Sequence, residues 1–194
     1  MRTLTPSAQK VCAIAVEQFA EHGYDAASLN DIAAAAGMRK PSLYAHFSSK
    51  DDLFEAVFER AVEAERLYVE QCFAQCDDAL PGAGYAHCLG ERYQQSAHLR
   101  FLLRTAFFPP AALRPIISAG FEGYLARLGE VFEQALGTCL PQVPVARRGV
   151  YVDAYLGVVD SLNVELIYAG QQAYARRLRA MWVVFGDALG AAPR

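Results

Sequence analysis

The sequence lacks the features that would place it in a membrane, a secretory pathway or a disulfide-bonded class. No uninterrupted apolar run approaches the ~18 residues that a membrane-spanning helix needs. The N-terminus shows no basic start followed by an apolar stretch and a cleavage site. The five cysteines are scattered, and their odd number and the absence of a CxxC pair favour reduced thiols. We therefore expect a cytoplasmic protein that does not contact a membrane.

Lysine is also scarce, and its distribution is uneven. The three lysines lie at positions 10, 40 and 50, and acidic residues are absent from position 32 through position 50. The first 50 residues carry five basic and four acidic side chains, whereas the remainder carries 13 basic and 17 acidic ones, for a net charge of −3. This pattern suits a protein that meets an anion with one end only, although chance clustering of few charges is an alternative.

The apolar pattern predicts helices throughout. Apolar residues recur at spacings of three and four, and no segment shows the sustained alternation of a strand. Ser28 with Asp31, and Ser49 with Asp52, have the spacing of helix-capping boxes. Pro81–Gly84 is the first predicted linker. The sequence predicts an all-α fold of nine helices, at about 7–22, after Ser28, near Lys40, after Ser49 to about 75, and then at about 84–95, 97–107, 111–137, 146–169 and 172–190.

The first three predicted helices describe a helix-turn-helix unit, in which two short helices are joined by a glycine turn at Gly37. The second helix of such a unit lies in the DNA major groove, where base edges are distinguishable. Here that helix presents donor or small side chains, and Lys50 follows at the start of the fourth helix, where free N–H groups also favour phosphate. The presented side chains are Lys40, Ser42, Tyr44, Ala45 and His46.

Several fixed spacings in this region resemble the TetR (tetracycline repressor) family. The resemblance covers about the first 65 residues and rests on three stretches of the sequence. These are Phe19-x-x-x-Gly23-Tyr24, then Ser28-Leu29-x-Asp31-Ile32-Ala33-x-x-Ala36-Gly37-Met38, and then Leu43-Tyr44-x-His46-Phe47-x-x-Lys50-x-x-Leu53.

The resemblance implies a domain organisation and a set of DNA contacts. Residues 1–50 would form the helix-turn-helix DNA-binding domain, with a family-type domain of about 5–65 that includes the start of the connecting helix. Residues 51–194 would form a helical effector-binding and dimerisation domain. The resemblance also implies a nine-helix TetR-like architecture and a repressor that a ligand releases from DNA. The implied DNA-binding residues are Ser28, Arg39, Lys40, Ser42, Tyr44, His46 and Lys50.

Arg39 departs from the family pattern. It stands where the family usually has a Ser or Thr helix cap, so we expect a cap weakened by ~1 kcal/mol and an additional cation facing DNA. Pro41 and Gln18 also differ from the usual residues, but neither breaks the pattern. The operator preference cannot be inherited from relatives, and the Arg39–Lys40–Pro41 entry is where we expect this chain's own preference to lie.

The last two predicted helices favour a homodimer. Helix-turn-helix proteins generally read two half-sites of a palindromic double-stranded DNA operator, which requires a two-fold dimer. The helix over 146–169 is apolar on more than one face, and such a helix is buried in a core or an interface. We expect the dimer to form through residues 146–190. Burial within a monomer core is the alternative.

The middle helices contain many aromatic residues and a few polar ones, which is the composition of a small-molecule pocket. We predict an effector of unknown identity there, and no cofactor, metal or catalytic site. Packing in the core is the alternative role for each aromatic residue. The candidate ligand-binding residues are Tyr93, His98, Phe101, Arg104, Phe108, Phe121, Tyr124, Tyr155 and Asn163.

Two other functions compete with a ligand-responsive regulator. The body could serve only to dimerise a DNA-binding protein that has no small-molecule effector. A helical metal-dependent or thiol enzyme is the second alternative, because His87, Cys88 and Glu91 could form a metal patch on one helix. No nucleophile elbow, phosphate-binding loop, dinucleotide glycine pattern or zinc spacing supports an enzyme.

Overall fold

The computed structural model of the chain describes residues 3–75 and 80–190. Over these residues the regular structure is helical, without strands, so the predicted all-α class is confirmed. None of the helices described is long and apolar enough to span a bilayer. The helices are α1 (Pro6–Ala26), α2 (Leu29–Ala35), α3 (Lys40–Tyr44), α4 (Lys50–Gln75), α5 (Ala83–Gln95), α6 (Ala97–Phe107), α7 (Arg114–Cys139), α8 (Val145–Tyr168) and α9 (Gly170–Gly190), with a 3₁₀ turn at Ala111–Leu113 before α7.

Short-range capping explains where several helices begin. The Ser28 hydroxyl accepts a hydrogen bond from Asp31 N at 3.4 Å, and the Ser49 hydroxyl accepts one from Asp52 N at 3.0 Å. Ser96 caps α6 in the same way through Leu99 N, at 3.1 Å. Each bond satisfies a backbone N–H that has no partner inside its helix.

Three boundaries differ from the prediction. α1 continues to Ala26, but Gly23 interrupts its helical geometry with φ +77° and ψ 176°, so regular helix still ends where the glycine predicted. The predicted linker Pro81–Gly84 is shorter, because α5 begins at Ala83. The predicted helix 111–137 is a 3₁₀ turn followed by α7, which has Pro115 in its first turn and extends to Cys139.

The chain divides into two compact units. The first contains the residues up to Glu65 together with Gln95–Glu122, and the second contains Arg66–Gln94 together with the residues from Gly123 onward. This division does not follow the single boundary predicted after residue 50. As a division between functional domains, that boundary stays a prediction.

Aromatic side chains form the centre of each unit. In the first unit, the buried rings of Phe19, Phe54 and Phe101 meet with centroids 5.0–6.0 Å apart. In the second unit, the Tyr155 ring stacks on Phe132 at 4.1 Å, and its hydroxyl donates to Gly82 O at 3.0 Å. Edge-to-face and offset contacts of this kind add to the stabilisation from apolar burial.

Candidate DNA-binding site

The helix α3 is held by two apolar side chains and exposes most of the others. The side chains of Leu43 and Phe47 are completely buried, and Phe47 N donates to Leu43 O at 3.0 Å. A five-residue helix has little intrinsic stability, so packing through these two residues fixes its position. The exposed residues are Lys40, Pro41, Ser42, Tyr44 and Ala45.

A glycine turn joins α2 to α3. Ile32 and Ala33 are buried and anchor α2, and Gly37 adopts φ +74°, a conformation that L-residues rarely take. The turn is closed by Met38 N, which donates to Ala33 O at 3.0 Å. This is the helix, turn and helix arrangement that the sequence predicted, with the exposed face of α3 available to a groove.

Arg39 occupies the N-cap position of α3. Its backbone is extended, with φ −85° and ψ 150°, and its side chain makes no capping hydrogen bond. The exposed guanidinium is therefore not used in starting the helix. The expected loss of the cap is confirmed.

Tyr44 and His46 lie at the end of α3 and just beyond it. Tyr44 is 44% exposed. The His46 ring is half-buried, with its centroid 6.5 Å from that of Phe47. Both side chains therefore lie close to Leu43 and Phe47, the buried residues that position α3. That they contact DNA stays a prediction.

Lys50 lies at the beginning of α4 and interacts with the end of α1. Its ammonium donates to Asp25 O at 3.2 Å and lies 4.6 Å from the centroid of the Tyr24 ring. The Tyr24 hydroxyl in turn hydrogen-bonds Asp51 Oδ1. These contacts hold a cation at the surface close to the free N–H groups of α4, where a phosphate is favourable.

Lys10 is a basic residue of this region that the sequence did not assign to a role. Its ammonium donates to Ala36 O at 2.9 Å, at the end of α2. A cation at a helix C-terminus satisfies a free carbonyl and offsets the negative end of the helix dipole. The signal available in the sequence was weak, because the two residues are 26 positions apart.

A family model described as bacterial regulatory proteins, tetR family, matches residues 13–57. The N-terminal part of the chain is therefore a TetR-family segment. The matched residues include the end of α1, the whole of α2 and α3, and the first turns of α4. The predicted family is confirmed by this match.

Curated relatives match a similarly short stretch of the chain. The chain is 45% identical over 49 residues to the transcriptional repressor ComR of Escherichia coli strain K12, and 51% identical over 49 residues to the transcriptional activator FasR of Mycolicibacterium smegmatis. Each match covers 25% of this chain and only 23% and 22% of the two relatives. The chain therefore matches less than a quarter of their length.

Solved structures extend the likeness to almost the whole chain. The fatty acid degradation regulator FadR from Bacillus halodurans aligns with a TM-score of 0.71 over 95% of this chain and 96% of its own. At 16% identity this likeness concerns the fold alone. Over residues 3–75 and 80–190 the nine α-helices confirm the predicted nine-helix TetR-like architecture.

The predicted ligand-binding residues fall in both compact units. His98, Phe101, Arg104, Phe108 and Phe121 belong to the first, and Tyr93, Tyr124, Tyr155 and Asn163 to the second. The structure brings Phe101, Arg104 and Phe108 together at one cleft. His98 lines a separate recess of about 180 Å³, and Phe121 packs against Phe58 with ring centroids 5.8 Å apart.

In the second unit two of the predicted residues belong to the packed interior. Tyr155 is fully buried, and the Tyr124 hydroxyl shares a buried hydrogen bond of 2.8 Å with the Tyr85 hydroxyl. Tyr93 is half-buried. Asn163 differs from them, because its buried Oδ1 has no hydrogen-bond partner among the described residues. As ligand contacts, all four stay predictions.

His87, from the alternative metal patch, is engaged within the second unit. Its Nδ1 lies 2.8 Å from Ala83 O, one turn earlier in α5, and its ring meets Trp182 edge-on at 6.1 Å. His87 is thus exposed, with one contact inside α5 and one ring contact to α9.

Proposed function

We propose that this chain is a cytoplasmic, DNA-binding transcriptional regulator that acts as a homodimer on a palindromic operator. We further propose that it represses transcription until a small molecule lowers its affinity for that operator. The observation that carries the proposal is how α3 is held. Leu43 and Phe47 are fully buried, and the side chains of Lys40, Ser42 and Tyr44 remain exposed. The absence of acidic side chains from residue 32 through residue 50 supports contact with phosphates.

The exposed face of α3 also suits base recognition. An α-helix of this kind fits the major groove, where side chains with donors distinguish the four base pairs. The Arg39 guanidinium is not used for capping, and a guanidinium can donate two hydrogen bonds to the major-groove edge of a guanine. We expect Lys50 to contact phosphate, because its present acceptor, Asp25 O, lies at the molecular surface and a phosphate would replace it.

The experiment is a titration of the protein against its own upstream DNA, followed by fluorescence anisotropy at several salt concentrations. Tyr44→Ala and Lys50→Ala should each weaken binding about tenfold, equal to about 1.4 kcal/mol. Lys50→Ala should also reduce the salt slope by about one phosphate contact per protomer. Arg100→Gln is the matched control, because this cation pairs with Glu17 at 3.2 Å away from α3.

The outcome that contradicts the proposal is unchanged affinity in both α3-region variants, with circular dichroism showing intact helices. Repression is tested separately by the transcript level of the adjacent gene after deletion of this one. The relatives ComR and FasR are a repressor and an activator, respectively. A fall in that transcript after the deletion would therefore make the chain an activator.

Two observations in the second unit support the homodimer. Apolar side chains on α8 and α9 are exposed, and Asn163 keeps a buried, unsatisfied amide oxygen among the described residues. Buried polar atoms usually have a partner, and a donor from a second copy would supply one. A two-fold interface would use the same face on each copy. The exposed apolar residues are Val150, Val164, Tyr168, Val183 and Val184.

A further inference from the structure

The first compact unit contains a cleft of about 700 Å³ between the end of α1 and the end of α6. This volume falls within the range of small-molecule sites. Its floor is the buried aromatic cluster of Phe19, Phe54 and Phe101, whose rings brace one another at 5.0–6.0 Å. The three rings therefore support one another at the base of the cleft.

Aromatic side chains also stand at the wall of the cleft. Phe107 and Phe108 end α6, and Phe108 is 65% exposed, although a ring of this size is normally buried. The next residues, Pro109 and Pro110, continue the same wall. The wall therefore offers flat apolar surface to a flat ligand, which would bury the Phe108 ring on binding.

The rim of the cleft is rich in cations. Arg104 and Arg114 line it, and Asp25 is the one carboxylate among its described lining residues. The Arg104 guanidinium lies over Gly23 and donates to a neutral acceptor, Glu21 O, at 3.4 Å. Neither guanidinium has a carboxylate at salt-bridge distance within residues 3–75 and 80–190. A carboxylate ligand would provide the planar, charged acceptor that suits guanidinium groups.

We infer that this cleft binds an aromatic carboxylate, with the ring against Phe107 and Phe108 and the carboxylate at Arg104 and Arg114. The inference rests on the proposed function of a ligand-responsive regulator and gives its effector a chemical class. A neutral aromatic molecule would meet the same wall but would leave the two guanidinium groups unpaired. A small inorganic anion would leave the wall uncovered.

Tyr24 connects the cleft with the proposed DNA contact. This residue lines the cleft, its hydroxyl bonds Asp51, and its ring carries the Lys50 ammonium at 4.6 Å. Asp25, the next residue, lines the cleft and accepts from Lys50 through its carbonyl at 3.2 Å. An occupant that shifts this segment also shifts Lys50. A ligand can change DNA affinity only if it binds the conformation that fits DNA and the one that does not with different affinities.

The test is isothermal titration of the full-length protein with 1-naphthoate, and with 1-naphthamide as the uncharged counterpart. We expect naphthoate to bind and naphthamide to bind at least tenfold more weakly. Arg104→Gln and Arg114→Gln should each weaken naphthoate binding about tenfold. Arg100→Gln is the matched control, one turn earlier on α6 and outside the cleft lining, and should bind naphthoate like the unmodified chain.

Equal affinity for the two probes, no naphthoate binding, or unchanged naphthoate affinity in both arginine variants would overturn the inferred site. Anisotropy with upstream DNA then tests its effect, and saturating naphthoate should lower DNA affinity at least fivefold. Naphthoate that binds without changing DNA affinity would overturn the link through Tyr24. Failure to bind DNA without naphthoate would contradict the proposed function, whereas the calorimetry would still decide whether the cleft binds the carboxylate.

Discussion

At the scale of single residues, Tyr24 shows how much one side chain can connect. Burial, the hydrogen bond to Asp51 and the nearby negative charges of Asp51 and Asp25 together raise its pKa to about 12. All of these effects favour the neutral phenol, which is the form that donates to Asp51. The Lys50 ammonium lies over the same ring, so the position of the ring affects the position of this cation.

The raised pKa of Tyr24 predicts a loss of stability in strong base. The unfolded phenol has a pKa near 10, so between pH 10 and 12 the unfolded chain loses a proton that the folded chain keeps. The stabilisation by this group is therefore complete below pH 10 and declines above it. Tyr24→Phe should be less stable at pH 9, and the gap in unfolding free energy from the unmodified chain should narrow by pH 11. Urea unfolding at both pH values measures this gap, and a constant gap would contradict the prediction.

At the scale of elements, α3 combines weak local structure with strong anchoring. Its N-cap lacks a side-chain hydrogen bond, and its five residues are too few to be helical alone. Burial of Leu43 and Phe47 compensates for both deficits. The helix thus keeps a cation at its entry where a capping residue would have stabilised it further.

Restoring the cap should exchange DNA affinity for stability. Arg39→Ser should raise the free energy of unfolding by ~1 kcal/mol, because the hydroxyl can accept from a free N–H in the first turn. It should also weaken DNA binding, since a cation facing phosphates is lost. Arg39→Ala removes the same charge without a cap, so it should weaken DNA binding equally and gain no stability. Thermal unfolding and anisotropy measure the two effects, and a stabilised Ala variant would show that capping is not the cause.

Most element boundaries could be predicted from the sequence because their causes are local. Ser28 and Ser49 cap the residues three positions later, and Gly37 takes a left-handed conformation at the predicted turn. The contact of the Asp52 carboxylate with Ser48 was harder to predict, because Oδ2 accepts from both Ser48 N, at 2.7 Å, and the Ser48 hydroxyl, at 3.0 Å. The 3₁₀ turn before α7 was missed because its residues carry no distinct helix-stop signal.

At the scale of the whole molecule, the exposed apolar residues of the second unit need a covering surface. Val183 and Val184 on α9 are 64% and 70% exposed, and an adjacent pair of exposed branched side chains is unfavourable in water. Val145, at the start of α8, is equally exposed but lies one residue outside the predicted dimer region of 146–190. It therefore provides a matched comparison.

A charge in the predicted interface should separate the homodimer. Val183→Asp should give a monomer in analytical ultracentrifugation at micromolar concentration, since two like charges would be buried together. Its affinity for a two-half-site operator should fall at least tenfold, because each half-site would then bind alone. Val145→Asp should remain dimeric with unchanged affinity. A Val183→Asp protein that sediments as a dimer would place the interface elsewhere.

The ligand candidates show what sequence could not supply. Phe101, Arg104 and Phe108 lie within eight positions on and just after α6, yet only tertiary packing shows that they share a cleft with Phe19 and Tyr24 of α1. Composition could not distinguish Phe108, which is exposed, from Tyr155, which is fully buried. The apolar patterns of a pocket wall and of a core are the same, and the difference depends on long-range contacts.

The scarcity of lysine has a consequence for the chemistry of this surface. Lys10 and Lys50 each donate to a backbone carbonyl near the end of a helix, whereas the Lys40 ammonium, on exposed α3, has no carbonyl acceptor within residues 3–75 and 80–190. Acylation of Lys10 or Lys50 would break an internal bond together with removing a charge. Acylation of Lys40 would remove a charge and leave the fold's own bonds intact. A reagent that acylates amines would therefore change the charge on the exposed face of α3 through Lys40. Through Lys10 and Lys50 it would also break hydrogen bonds within the fold.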